Sequence, residues 1–357
     1  MKLLIQPHDG IAPLVAAIKK ARKSVDIVIF RFARAEIEAG LKAAVERGVS
    51  VAALITYANH GGEKSLRKLE MRLLDAGVTV TRTSEDLARY HDKLLIIDRR
   101  VLYMLSFNLT HLDVDHSRGF GIVTRKRKLV QEALALLKAD NDRVPYRAGH
   151  DSFVVSPVNA RKQLLALIHR AKKELLIYDP KVADVEMLHA LGDRVKQGVE
   201  VRVIGAVGRR RHNLNLRPLG GLRLHTRAIV RDRREVFVGS QSLRKAELDS
   251  RREVGLIVRD SKVVSGIVAT FEADWDAPTT KIVSAATTRV LKKRLKRVVK
   301  KLSPLDPAVK EAVNDVVSKK GSASLNTKDV KASVVKAVKE AVRERVEEML
   351  NESVEPG

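Results

Sequence analysis

The sequence predicts an α/β fold built twice over, followed by a helical, basic C-terminal tail. Three observations lead to it. The pattern H-x-[K/R]-x-x-x-x-D occurs at His91-Asp-Lys93 with Asp98, and again at His225-Thr-Arg227 with Asp232. Apolar runs of strand length alternate with helix-periodic stretches, in the same order, ahead of each copy; such alternation marks helices laid over a sheet. From about Ala277 the sequence becomes lysine-rich and helix-periodic.

Along the first half, Met1-Lys-Leu-Leu-Ile-Gln-Pro7 reads as an opening strand, its apolar run being too short for a signal sequence. Asp9 is placed to cap a helix carrying Ile11, Leu14, Ile18 and Ala21, and the apolar run from Val25 to Phe30 follows as a strand. A second helix leads to a strand within Arg47–Leu54. The second half repeats the order: a helix from about Asn159 with Leu164, Leu167, Ile168 and Ala171, the strand Glu174–Tyr178, a helix, and a strand within Gln197–Ile204. Gly48-Val49 matches Gly198-Val199. This implies two mainly parallel sheets covered by helices and related by a pseudo-twofold.

The stretch from Gly48 to His91 is longer than the stretch from Gly198 to His225, so the first half holds an insertion. It contains Asn59-His-Gly-Gly62 and a polar helix from about Lys64 to Leu74. Two glycines after a strand more often make a turn than a phosphate cradle. Arg143 to Asp151, with Pro145 and Gly149, is the expected linker. The expected units are therefore 1–145, 151–276 and the tail 277–357.

A length of 357 residues with 45% hydrophobic content supports a duplicated core. Aromatic residues are only 4%, which disfavours a base-stacking platform for single-stranded nucleic acid. The formal charge of +25 attracts polyanions, whether nucleic acid, anionic lipid or a phosphate-bearing substrate. No cysteine is present, which removes disulfides, thiolate nucleophiles and Cys-ligated zinc together.

No uncharged apolar run approaches the roughly 20 residues of a membrane-spanning helix. The expected location is the cytoplasm, with any membrane contact peripheral to the inner face. Residues 281–301 carry nine Lys or Arg and no acid, with Leu291, Leu295, Val298, Val299 and Leu302 at helical spacing. The Lys292–Lys301 segment is thus a candidate anchor to anionic membrane or nucleic acid, against the plainer reading of packed helices with solvated lysines. Asp306-Pro307 starts a further helix and Thr327–Asn351 forms a last one.

The chemistry follows from the repeated pattern. In a β-strand, the spacing H-x-K puts His and Lys on one face. The agreement continues downstream: Ser106 and Ser240 follow their histidines at one common spacing, and Asn108 and Ser242 stand two positions beyond them. Each half thus offers an imidazole, a cation and two small hydrogen-bonding side chains, a set suited to a phosphoryl group. One imidazole can attack phosphorus while the other protonates the leaving oxygen.

These motifs resemble the phospholipase D superfamily and its paired HKD signatures. The resemblance spans roughly residues 1–275, including Ser156-Pro-Val-Asn159-Ala-Arg and Arg252-Glu253-Val-Gly-Leu. It implies a duplicated α/β/α sandwich with the site between the lobes, and a phosphohistidine mechanism without metal or cofactor. It also implies phosphodiester substrates: a phospholipid whose phosphatidyl group is hydrolysed or transferred, as in the cardiolipin synthase branch. His91, His225, Lys93, Arg227 and Glu253 would then be catalytic, His91 the nucleophile, and Ser106, Asn108, Ser240 and Ser242 would bind the phosphate. Asp98 and Asp232 would be structural supports. A metal-independent nuclease and a degenerate, non-catalytic lipid- or nucleic-acid-binding protein are the alternatives.

Departures from the family pattern are Arg227 in place of lysine, Ser242 in place of asparagine, and Leu105 where Gly239 stands in the second half. In the family a carboxylate well downstream of each His commonly orients it. Glu253 fits this place for His225, whereas at the same spacing from His91 stands Gly119, with Asp113 or Asp115 as substitutes. His111 and His116 beside those two aspartates read as a solvated loop rather than a metal cluster. His60, His150, His169, His189 and His212 are dispersed.

Overall fold

The computed structural model describes residues 1–29, 33–57, 63–208 and 214–278. The first half runs β1 (Lys2–Gln6), α1 (Ala12–Lys20), β2 (Ser24–Ile29), α2 (Ala35–Glu46), β3 (Ser50–Ile55), α3 (Glu63–Asp75), β4 (Thr79–Arg82), β5 (Arg89–Tyr90), β6 (Lys93–Ile97), β7 (Val101–Leu105), α4 (His111–Asp115), β8 (Ser117–Thr124) and α5 (Arg127–Asp142). The second half runs β9 (Phe153–Ser156), α6 (Ala160–His169), β10 (Glu174–Val182), α7 (Val185–Lys196), β11 (Glu200–Val207), β12 (Asn215–Arg217), β13 (Arg223–Leu224), β14 (Arg227–Arg231), β15 (Glu235–Gly239), α8 (Lys245–Asp249), β16 (Arg251–Val258) and α9 (Ser261–Asp276). The Gly61-Gly62 cradle, His60, His212, the Lys292–Lys301 anchor and the tail helices lie outside the described residues.

Two eight-stranded sheets result. One has the order β1-β8-β7-β6-β2-β3-β4 with β13 on β8, the other β12-β11-β10-β14-β15-β16-β5 with β9 on β16. Neither is mainly parallel, contrary to expectation: β2/β3 and β10/β11 are parallel, but β2/β6, β6/β7, β7/β8 and their counterparts are antiparallel. The reason is local. Each H-x-[K/R]-x4-D motif ends in a tight hairpin turn, so its strand returns alongside itself instead of crossing over through a helix.

Asp98 and Arg99 form one turn and Asp232 and Arg233 the other, all four with φ of 50–52°. Aspartate tolerates this left-handed backbone better than most residues. Its carboxylate is fixed as well: Asp98 accepts the backbone N–H groups of Arg22, Lys23 and Ser24, and Asp232 those of Lys172, Lys173 and Glu174. Asp9, by contrast, does not cap α1. Its carboxylate accepts the Ile5 N–H at 2.7 Å, and Ile11 stands at the helix start with no side-chain cap.

Alternation along the strands builds three cores. On β6, Leu95 and Ile97 face α1, α2 and α3, whereas Leu94 and Ile96 face inward; on β14, Ile229 faces α6 and α7, with Ala228 and Val230 inward. The inward faces of both sheets share one core with α5 and α9. Both faces of these strands are buried, which is why the run Leu94–Ile97 is apolar throughout.

The halves also trade short strands. β5 joins the second sheet beside Arg251 and Arg252, and β13 joins the first beside Ser117 and Arg118. Reciprocal ion pairs lock the trade: Arg118 grips Asp274 of α9 with two nitrogens at 2.7 Å, and Arg252 reaches Asp140 of α5 at 2.9 Å. Both arginines also hold a histidine strand through their carbonyls, Arg252 taking the His91 N–H at 2.8 Å and Arg118 the His225 N–H at 3.3 Å.

Candidate active site

The exchanged strands lead straight into the two motif histidines. His91 follows β5, and because β5 lies against β16 its ring meets Glu253 of the second half: Nδ1 is 2.8 Å from Glu253 Oε2. His225 follows β13, beside the first half, and its Nε2 lies 3.6 Å from Asp113 Oδ2 on α4. The expected carboxylate assignment is therefore reversed. Glu253 serves His91 and not His225, and Asp113 serves His225 and not His91.

Gly119 explains the asymmetry. It occupies the place on β8 that Glu253 holds on β16, but a Cβ there would stand 2.9 Å from the Phe107 ring, which fills the space a carboxylate would need. Asp113 substitutes from the neighbouring helix. Thr110 caps α4 by accepting the Asp113 N–H at 3.2 Å, and Asn108 Nδ2 donates to Asp113 Oδ2 at 2.6 Å. A signal for it existed, since the interval from His91 to Asp113 equals that from His225 to Glu247. Glu247 takes the matching place on α8, accepting the Ser242 N–H at 2.7 Å.

Asp115 lies elsewhere, 2.6 Å from Arg34 and 3.1 Å from His111. The stretch around His111 is thus a short helix, not a solvated loop, and an arginine already neutralises its outer carboxylate. Among the described residues no group of three or more His, Cys, Asp or Glu could hold a metal ion.

Lys93 and Arg227 are both buried and bonded alike, Lys93 Nζ donating to the His91 carbonyl at 2.5 Å and Arg227 Nη1 to the His225 carbonyl at 2.6 Å. A guanidinium in the second motif thus keeps the contact that an ammonium makes in the first. The charges act across the halves. Burial, then Lys93 and Arg227, push the His91 imidazole well below its ordinary value; burial and Arg227 do the same to His225, with Asp113 opposing. Both shifts favour the neutral imidazole.

Burial also moves the groups around them, lowering Lys93 to about 8 and raising Glu253 to about 7. Asp113 feels the same penalty, but His225, Asn108 and Arg223 outweigh it and bring the carboxyl below its ordinary value.

The small polar residues form the walls. Ser106 Oγ accepts the Phe120 N–H at 2.9 Å and shares a hydrogen bond with Thr226 Oγ1 at 3.1 Å. Ser240 Oγ accepts the Val254 N–H at 3.1 Å, and Ser242 Oγ donates to Asp179. All three serines are at most 1% exposed. Their hydroxyls make these bonds within the protein, joining β7 to β8, β15 to β16 and β10 to the loop after β15. Asn108 Nδ2 is likewise bonded to Asp113. Asp98 and Asp232 sit at the hairpin turns bound to backbone N–H groups, as supports.

Comparison with known proteins follows the same lines. A family model described as "Cardiolipin synthase, PLD-like domain" matches residues 14–140 and 164–275. The polyphosphate kinase of Prosthecochloris aestuarii (strain DSM 271 / SK 413) is 25% identical across 76% of this chain, which spans only 42% of that relative's length. The crystal structure of polyphosphate kinase from Porphyromonas gingivalis superposes with a TM-score of 0.65 at 19% identity, covering 82% of this chain and 55% of that one. Phosphatidylserine synthase from Haemophilus influenzae Rd KW20 superposes with a TM-score of 0.61 at 11% identity, covering 85% of this chain and 94% of that one. At such identities the two superpositions show a shared fold.

Proposed function

The chain belongs to the phospholipase D superfamily, with the PLD-like domain of the cardiolipin synthase family, and from that premise we propose that it is a phosphodiesterase that hydrolyses or transfers the phosphatidyl group of a phospholipid through a phosphohistidine. The observation that carries this reading is the crossed pairing of two buried histidines, each with a carboxylate from the other half, under two cations whose charge bears on both rings.

His91 attacks phosphorus through Nε2, the nitrogen opposite the one bound to Glu253. A neutral ring supplies the lone pair, and Glu253 takes up the positive charge that develops as the N–P bond forms. Lys93 and Arg227 neutralise the non-bridging oxygens. A bound phosphodiester also offsets the charge with which these cations depress His225, so His225 gains a proton and passes it to the leaving oxygen as the P–O bond breaks. Asp113 stabilises that imidazolium. In the second step water or an alcohol yields its proton to His225 while its oxygen attacks phosphorus, and the N–P bond breaks to restore His91.

The test is an alkaline-quenched peptide map after exposure to mixed phospholipids. A phosphatidylated His91 supports the reading, and its absence together with unchanged turnover in His91→Ala and His225→Ala would overturn it. Metal-independent nicking of plasmid, with no reaction on lipid, would instead support a nuclease, a reading that the net charge of +25 also suits. No helix among the described residues is long and apolar enough to cross a membrane. Membrane attachment through Lys292–Lys301 is therefore proposed as peripheral, and loss of binding to anionic vesicles after truncation at Ala277 tests it.

A further inference from the structure

The repeated motif extends two residues further toward the N-terminus than H-x-[K/R]. Arg89 stands two positions before His91 and Arg223 two before His225, so both copies read R-x-H-x-[K/R]. Both arginines lie on the exchanged strands β5 and β13. Each arginine thus precedes its histidine by two residues, on the exchanged strand that leads into it.

A contact places Arg223 at the rim of the site, and Arg89 holds the matching place beside His91. Arg223 Nη1 donates to Asp113 Oδ1 at 2.5 Å, the carboxylate that also faces His225. Its side chain remains 45% exposed, whereas that of Arg227 is 10% exposed and Lys93 is buried. Arg89 is half-buried, pairs in register with Arg251, and its charge reaches His91. The site is thus graded, with two buried cations beside the histidines and two more accessible ones outside them, in matching positions of the two halves.

One phosphodiester carries a single negative charge, and Lys93 and Arg227 suffice for it. We propose that Arg89 and Arg223 bind a second phosphate of the substrate, so that the enzyme selects phospholipids whose headgroup bears a phosphate besides the scissile one. Guanidinium groups suit this task because each presents paired donors to phosphate oxygens and stays charged at any working pH. The inference rests on the phosphodiesterase reading for the identity of the scissile group, but its test does not require turnover.

Titration calorimetry of the full chain with orthophosphate and with pyrophosphate separates the two. Pyrophosphate is expected to bind about tenfold or more tightly than orthophosphate, the gain of one added charge-assisted phosphate contact. That ratio is expected to collapse toward unity in Arg89→Gln/Arg223→Gln and to return in Arg89→Lys/Arg223→Lys, which keeps the charges. Arg223→Gln also releases Asp113, so single Arg89→Gln serves as the variant that leaves the Asp113 contact intact, and it is expected to lose part of the preference.

With dihexanoyl lipids, phosphatidylglycerol phosphate is expected to outcompete phosphatidylglycerol, with the discrimination appearing in KM. Equal affinities for the two anions, or a preference unchanged in the double Gln variant, would overturn the inference even if phosphatidyl-His91 forms. A preference without any phosphohistidine would instead overturn the phosphodiesterase reading alone. Tighter, arginine-dependent binding of a single-stranded 12-mer than of the two-phosphate lipid would overturn the lipid assignment.

Discussion

His91 Nδ1 lies 2.8 Å from Glu253 Oε2, a contact between residues 162 positions apart that joins the two halves at the candidate active site. Its partner carboxylate is wholly buried and raised to about 7. Burial makes the ionised form of Glu253 costly in the folded protein.

Stability is therefore expected to be traded for function at Glu253. A carboxyl raised from 4.5 to about 7 favours the fold while protonated; that contribution is full below about pH 4.5 and lost as pH rises through 7. Glu253→Gln imitates the protonated form at every pH. Its melting temperature should match the wild type near pH 4.5 and exceed it at pH 8, by up to about 3 kcal/mol in unfolding free energy, while turnover falls about a hundredfold or more. Thermal melts at the two pH values check the sign.

Lys93 should set the alkaline limb. Its ammonium must be charged to hold phosphate, and burial lowers it to about 8. The kcat/KM of the wild type is expected to fall as pH rises through about 8, since that ratio reports the free enzyme. Lys93→Arg keeps its charge throughout and should abolish this limb, whatever it does to the maximal rate. A pH profile that keeps the limb in Lys93→Arg would assign it to another group.

Asp113 and Asp115, two residues apart, should part company. Asp113→Asn removes the carboxylate facing His225 and is expected to lower kcat by about a hundredfold, whereas Asp115→Asn should change it by less than about threefold, since Asp115 pairs with Arg34 and His111 rather than with His225. Moving the carboxylate to the place that Glu253 holds in the other half should fail. A side chain at Gly119 meets Phe107 at 2.9 Å, so even Gly119→Ala is expected to cost about 1–3 kcal/mol by denaturant unfolding.

The Arg252–Asp140 pair should behave as a buried latch. Burial, then Asp92, raises Asp140 to about 7, and Arg252 is the cation that opposes both. Arg252→Met is expected to destabilise the protein by about 3 kcal/mol by leaving a buried carboxylate unpaired. Arg252→Met/Asp140→Asn should recover more than half of that. A double variant no more stable than the single one would show that the pair contributes through packing alone.

Local spacing determined a good deal by itself. The repeated His, Lys or Arg, and Asp positions identified the duplication, the fold and the two imidazoles of the candidate site, because each depends on residues close in sequence. The aspartates were legible as supports for the same reason, since a hairpin turn is a local structure. The mainly parallel sheets, the Asp9 cap, the loop at His111 and the partners of the histidines all came out otherwise in the fold. Spacing alone gives no account of which hydroxyl is spent against which strand, as Ser106 is on Thr226.

Tertiary structure decided the partnership of His91 with Glu253 and of His225 with Asp113. The cause is the exchange of β5 and β13, which carries each histidine across to the opposite half and so inverts the pairing that spacing along the sequence suggests. A carboxylate at a fixed interval downstream belongs to the same half as its histidine, but the burial that tunes both groups comes from packing the two halves together. The sequence by itself named the chemical groups, and only the folded protein determined which of them meet.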